Sequence, residues 1–454
     1  AEIPVLVAVG PFFLFTSPLT VFALALIPLL WGVRWMARGY LLPRTPLDWP
    51  IAFMAIMLPM GLLVSPYFSW GAGKAAFLVY CIALYYALVD WVTGPHRFDL
   101  ALTLYLLAGG GLALLALVGT DWQYKLPFLG DLTQALPQIA NFLSRDQIGF
   151  HPNIVAGALL WVIFPLLAVV LRRRTSDEAS ERSSRLSSMI YDPRLAAVLT
   201  LLTAGTLLLT QSRGALVSAA AGFGLLAWLR WPRLRPVVAI ASVVAIALVS
   251  MAVTMEISAG KQAVSASDFS VSAADNFAVR IDTWHSALWA LSQHPVEGVG
   301  LDAFRHLLPT TYPAASIPNT YDIGHAHNQF IQAALDLGLP GLLGYLALWF
   351  AAWRMVWHML RAGGTTRAFP WGKTHPRQGS APALPSDQTY DLRSTIYDLL
   401  LVGFASALFA SFLHGMIDVV VMVSKPGVLF WAMLALISAL WRLTANGRVS
   451  TLQE

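Results

Sequence analysis

Twelve apolar runs, each close to the length needed to cross roughly 30 Å of hydrocarbon, limit what this chain can fold into more than any other feature. They lie at about 3–16, 17–33, 50–64, 74–92, 98–119, 152–171, 195–210, 213–230, 236–256, 338–360, 398–422 and 426–444, the first and third being short. Ser17-Pro18 separates the opening pair, because proline cannot donate inside a helix and restricts the residue before it. Only 12% of the residues are charged and 57% are hydrophobic, against about a quarter charged in soluble domains, which excludes a water-soluble fold. The expected fold is an all-α polytopic integral membrane protein with about 12 transmembrane helices and a large extracytoplasmic loop domain.

Charge assigns the sides. Lys and Arg are retained in cytoplasmic loops and the sides must alternate along the chain. If the loop after the second run is inside, twenty basic residues fall inside, eight fall outside, and Arg354 lies within the tenth run. Both termini are then cytoplasmic. The net charge of +5 is therefore spread by membrane side and not gathered into a stripe, so no nucleic-acid partner is expected. Seven of the ten histidines, His151, His285, His294, His306, His325, His327 and His414, fall outside or in the outer half of a run, which places the polar chemistry there. Ala1 to Val9 lack the basic segment and cleavage site of a signal peptide, so the first helices are expected to insert the protein. The lone Cys81 lies in an apolar run, where no intrachain disulfide can form.

Three divisions follow: helices 1–9 over residues 1–256, an extracytoplasmic loop domain with an interfacial helix over 257–337, and helices 10–12 over 338–454 with a cytoplasmic linker at 361–395. The linker and the loop 172–194 are rich in Ser, Pro, Gly and Arg and read as flexible connections.

The strongest local signal is the segment from Gly324 to Gly341. From His327, the residues Phe330, Ile331, Ala334, Leu335 and Leu337 form an amphipathic stripe, which predicts a short helix lying at the outer interface. Gly338 can take the left-handed conformation that ends this helix, and Pro340 suits the first turn of the next. His327 then sits at the lip of the membrane, where an imidazole can take a proton from a hydroxyl and Asn328 can orient it or the substrate. A capping or interfacial histidine is the alternative role. Metal binding by His325 and His327 is a weaker alternative, since no outer carboxylate stands out as a third ligand.

A second signal is Gln211-Ser212-Arg213-Gly214-Ala215, which joins two apolar runs with almost no loop. Gly214 is expected to make the turn, leaving Arg213 outside against the charge bias, as an anion site or a snorkelling arginine. A third runs from Arg280 through Trp284 to Gly298-Val299-Gly300 and Phe304. Its plainer reading is a solvated loop helix with Arg280 paired to Asp275 or Asp282. His414 and Asp418 are one turn apart in the eleventh run, where ionisable groups are costly enough to suggest function, or a polar pair tying helices together. Phe150-His151-Pro152-Asn153 opens the sixth run with capping residues, and Lys125 and Arg145 fall in an outer loop.

These residues together resemble the O-antigen ligase and polymerase superfamily of bacterial envelope glycosyltransferases. The likeness rests on Ser212-Arg213-Gly214-Ala215, on Arg280 and Trp284 running into Gly298-Val299-Gly300 and Phe304, and on His327-Asn328 followed after nine residues by Gly338 and after two more by Gly341. The resemblance implies a transferase of the bacterial inner membrane that works on the extracytoplasmic face without a metal, nucleotide or other cofactor. Its donor would be an undecaprenyl-diphosphate-linked glycan, its acceptor a hydroxyl of a lipid-linked or other glycan, and its surroundings the membrane lipids. Arg213 and Arg280 would bind the diphosphate and His327 would activate the acceptor, with inversion at the anomeric carbon. Asn328, Ser212, His325, Asp418 and His414 would support them. A polymerase joining lipid-linked repeats is the alternative within the class. A lipid-linked glycan transporter is the alternative outside it, although the suspicious residues lie on one face and no inverted repeat is evident.

Overall fold

The computed structural model describes residues 2–14, 20–122, 127–136, 150–171, 192–259, 277–314, 317–318, 322–361, 386–421 and 424–451. Every regular element among them is a helix: α1 Glu2–Leu14, α2 Thr20–Arg38, α3 Asp48–Leu63, α4 Phe68–Trp91, α5 Pro95–Gly119, α6 Pro127–Gln134, α7 Pro152–Val170, α8 Pro193–Leu209, α9 Arg213–Arg230, α10 Arg235–Ala259, α11 Phe277–Gln293, α12 Phe304–Leu307, α13 Gln329–Met359, α14 Ser386–Gly415 and α15 Gly427–Thr451. Several begin where the sequence sets a cap. His151 and Asp192 accept the N–H two residues on, and Pro152 and Pro193 follow them at the first helical position, where a missing donor costs nothing.

Each of the twelve predicted runs overlaps a helix. Among the described residues, seven helices are long and apolar enough to cross a membrane, namely Phe68–Trp91, Pro95–Gly119, Pro152–Val170, Pro232–Met251, Gln329–Met359, Tyr397–Gly415 and Gly427–Thr444, and three shorter apolar helices accompany them. On α10, Ile240, Val243, Ile246 and Leu248 are all exposed, as suits lipid contact. The eleventh run departs from expectation. α14 stops at Gly415, and the N–H groups of Ile417 and Asp418 both turn back onto the His414 carbonyl. The β-branched Val419-Val420-Val421 and Pro426 beyond it oppose a further helical turn. Asp418 is thus a turn residue and not a helical neighbour of His414.

In lipid, helices associate through close packing, not through exclusion of water, so small residues mark their crossings. α14 lies against α7 and α9, α13 against α3, and α15 against α4. A side chain added at Gly109 would meet Val162 at 2.3 Å, and one at Gly222 would meet Phe164 at 2.3 Å. Polar contacts gather at the two ends of this bundle. At one end Arg34 pairs with Glu2, Arg38 Nη1 lies 2.6 Å from Asp90 Oδ1, and Arg442 donates to the Val89 carbonyl. At the other, Ser65 donates to Leu301, Lys74 meets Asp336 and Asn328 donates to Met416.

Residues 279–326 carry a separate buried apolar cluster, with Val279, Leu291, Phe304, Leu308 and Ile323 packed onto Ala334 and Leu335 of α13. The predicted surface-lying helix differs from what forms there. Its apolar stripe is packed, and its other side buries Gln329, Gln332 and Asp336, so the first turns of α13 are enclosed on both faces. Most of the linker 361–395 and of the loop 172–194, together with Lys125, Arg145 and Asp275, lie outside the described residues.

Candidate active site

The His325–Asn328 segment is fixed from several sides. Asn328 caps α13: its Oδ1 accepts from the N–H groups of Phe330 and Ile331, at 2.9 and 3.1 Å, and its Nδ2 donates to the Met416 carbonyl at 2.9 Å. The amide expected to orient a substrate is thereby committed to joining α13 to the turn after α14. Ala326 donates to Gln332 Oε1 and accepts from Trp284 Nε1, both at 2.9 Å. His327 follows with φ of +48°, a left-handed conformation that costs a non-glycine residue on the order of 1–2 kcal/mol.

Both histidines face Asp418. His325 Nε2 lies 3.6 Å and His327 Nδ1 3.8 Å from Asp418 Oδ1, and the two rings are 4.5 Å apart. Burial alone would raise the Asp418 carboxyl, but His325, His327, Arg280 and His414 outweigh it and hold it well below the usual carboxylate range. Burial pushes the His325 imidazole down to about 4, against the opposing pull of Asp418, with His151, Lys74 and Arg280 lowering it further. His325 is therefore neutral at physiological pH. Its Nδ1 accepts the His327 N–H at 3.2 Å, so its one proton sits on Nε2, facing Asp418. Both nitrogens of His325 are engaged, and the residue suits a supporting role.

The same geometry bears on metal binding. One ligand atom from each of His325, His327 and Asp418 lies within 4.8 Å of the others, so the carboxylate that the sequence did not reveal is present. A ligating nitrogen, however, needs its lone pair. The hydrogen bond at His325 Nδ1 puts a proton on the nitrogen that faces the cluster. These residues fit a carboxylate directing two imidazoles better than a ligand set.

Arg280, on α11, acts electrostatically on Asp418 and His325, which brings it into the same constellation. Arg213 is the exposed first residue of α9, where the helix dipole favours an anion. The tight turn before it is made by Gln211, at φ of +52°, and not by Gly214. Gly214 is helical and small because an added side chain would lie 2.2 Å from Ile417 and 3.8 Å from His414 Nδ1, which carries Arg213 to the turn that holds Asp418. Ser212 makes no side-chain cap. The buried His414 ring sits against Gly157 and Gly214, between α7 and α9, and acts electrostatically on Asp418.

The glycines of the motif have a packing reason. Gly338 has φ of +69° and breaks α13 into two helices, as the sequence predicts. A side chain on it would lie 1.8 Å from the Val296 carbonyl. Gly298 and Gly300 also have positive φ and press against the Leu335 carbonyl and Ser65, while Val299 donates to Leu335 and Leu339 to Pro295, each at 2.8 Å. Gly338→Ala is expected to destabilise the protein by about 2–4 kcal/mol, read as a lowered unfolding midpoint in detergent.

Three buried polar residues near the site, Lys74, Gln332 and Asp336, escaped sequence reading. Their signal was present, since Gln332 and Asp336 are polar positions four apart on a largely apolar helix. Residues 197–346, which include Arg213, Arg280 and His327, match a family model described as O-antigen ligase. No curated protein matches the chain. With the apolar helices, the match supports a bacterial membrane glycosyltransferase of the O-antigen ligase or polymerase type.

Proposed function

We propose that this chain, whose match over residues 197–346 supports the O-antigen ligase superfamily, transfers a glycan from undecaprenyl diphosphate to an acceptor hydroxyl, acting as a ligase on the extracytoplasmic face of the inner membrane. The observation that carries the reading is the convergence of Asp418, His327 and Arg280 at one end of the helical bundle. His327 takes the proton of the acceptor hydroxyl through the nitrogen remote from Asp418, and the Asp418 carboxylate stabilises the imidazolium that forms. The freed oxygen attacks the anomeric carbon from the face opposite the diphosphate, so configuration inverts. The bond from that carbon to the bridging oxygen breaks and undecaprenyl diphosphate leaves.

Charge grows on the departing diphosphate as the bond lengthens. Two guanidiniums there stabilise the transition state more than the bound donor, which is the role of Arg213 and Arg280. No metal is required, because those arginines supply the positive charge. The loop domain over 257–337 covers the sugars, the polyprenyl tail stays in lipid, and both chain termini are cytoplasmic.

Incubating the reconstituted protein with a defined undecaprenyl-diphosphate glycan and candidate acceptors, followed by mass analysis, tests the reading. Single additions to the acceptor are expected. Product ladders would replace the ligase with a polymerase, and an unreacted donor moved across the bilayer would replace transfer with transport.

A further inference from the structure

We propose that Lys74, Asp336 and Gln332 form a positioning relay that runs from the membrane helix α4 to the peptide between the two histidines and sets the placement of His327. The inference rests on the reading of His327 as the general base. Lys74 Nζ lies 2.6 Å from Asp336 Oδ2 and 3.7 Å from Asp302 Oδ1. The Lys74 side chain is 8% exposed and that of Asp336 is fully buried. Asp336 Oδ1 accepts from Gln332 Nε2 at 3.0 Å and from the Asp302 N–H at 3.2 Å. Gln332 Oε1 accepts the Ala326 N–H at 2.9 Å.

The chemistry gives the relay a direction. A carboxylate only accepts, so the Gln332 amide must turn its NH2 towards Asp336 and its oxygen away. That oxygen can then hold only a donor, the N–H of Ala326. Trp284 takes the carbonyl of the same residue, so Ala326 is held on both sides. His327 comes next in a left-handed conformation, which persists in an L-residue only where the surroundings over-determine it. Lys74 thus acts on the base without touching it, by fixing the carboxylate that fixes the amide.

Removing one member of a buried ion pair can prevent folding, so the test uses Gln332. A protonated glutamic acid has the same donor and acceptor as the amide, whereas an ionised one repels Asp336 and loses the donor. Gln332→Glu is therefore expected to work nearly as well as wild type at about pH 5.5, and to fall by about tenfold relative to it as the pH rises towards about 8. Gln332→Leu should lower kcat about ten- to hundredfold at every pH, with the donor KM nearly unchanged. Both losses should coincide with faster deuterium uptake in the peptide spanning Ala326 and His327. A Gln332→Glu to wild-type ratio that is flat with pH, or losses of rate without a change in that uptake, overturns the relay. If wild type transfers no glycan, the functional reading fails, and uptake alone still decides whether the relay holds the peptide.

Discussion

Replacing His327 by alanine is expected to lower glycan transfer by about 10²–10⁴-fold, the usual contribution of a positioned general base, while the protein inserts and folds as before. The folding half of this expectation comes from the contacts. The segment is held by Asn328, Ala326, Trp284 and Gln332, and the backbone N–H that His327 gives to His325 is kept by alanine. Turnover of the purified variant at the wild-type rate removes His327 from the chemistry. A loss of rate with a lowered unfolding midpoint assigns it a structural role instead.

Asp418→Asn is expected to lower kcat by about 10²–10³-fold with little change in the donor KM. The amide fills the same space but cannot stabilise an imidazolium. Because His327 loses the carboxylate that faces its Nδ1, its charged form becomes less favourable, and the acid limb of the rate profile should move to lower pH. Asp418 shares its field with His325 and Arg280, so His325→Asn serves as the comparison. That variant keeps the carboxylate, and its acid limb should stay close to that of wild type. An unmoved profile in Asp418→Asn contradicts the direct action of Asp418 on His327.

Helical architecture was legible because lipid leaves few alternatives: backbone groups in hydrocarbon must be satisfied within the segment, so apolar runs and helices coincide. Boundaries were legible where a cap writes them, as at His151-Pro152. They were not where apolar residues run on past the last helical turn, as at the early end of α14. The tight turn at Arg213 was assigned to its glycine, yet Gln211 takes the left-handed conformation, and Gly214 answers to Ile417 in the turn after α14, about two hundred residues away. Periodicity could not reveal that neighbour.

The site was half visible for the same reason. His327, Arg213 and Arg280 announce themselves through local motifs and outward charge. The direction of the imidazoles comes from Asp418, ninety-one residues beyond His327, and from a buried lysine on α4. Neither pairing has a spacing that sequence can display. Asn328, expected to orient His327 or the substrate, has its side chain occupied with the cap and with Met416, a partner that local sequence does not display.

One extracytoplasmic compartment shared by Arg213 and His327 is the claim on which the rest stands. Arg213→Cys and Gly324→Cys place thiols beside the two motifs, Arg233→Cys marks the far end of α9, and the native Cys81 is buried and should not compete. A membrane-impermeant maleimide added to the outside of intact cells, with their outer layers permeabilised, should label positions 213 and 324 and leave 233 unlabelled. Labelling of 213 and 324 from opposite sides of the membrane would contradict the account.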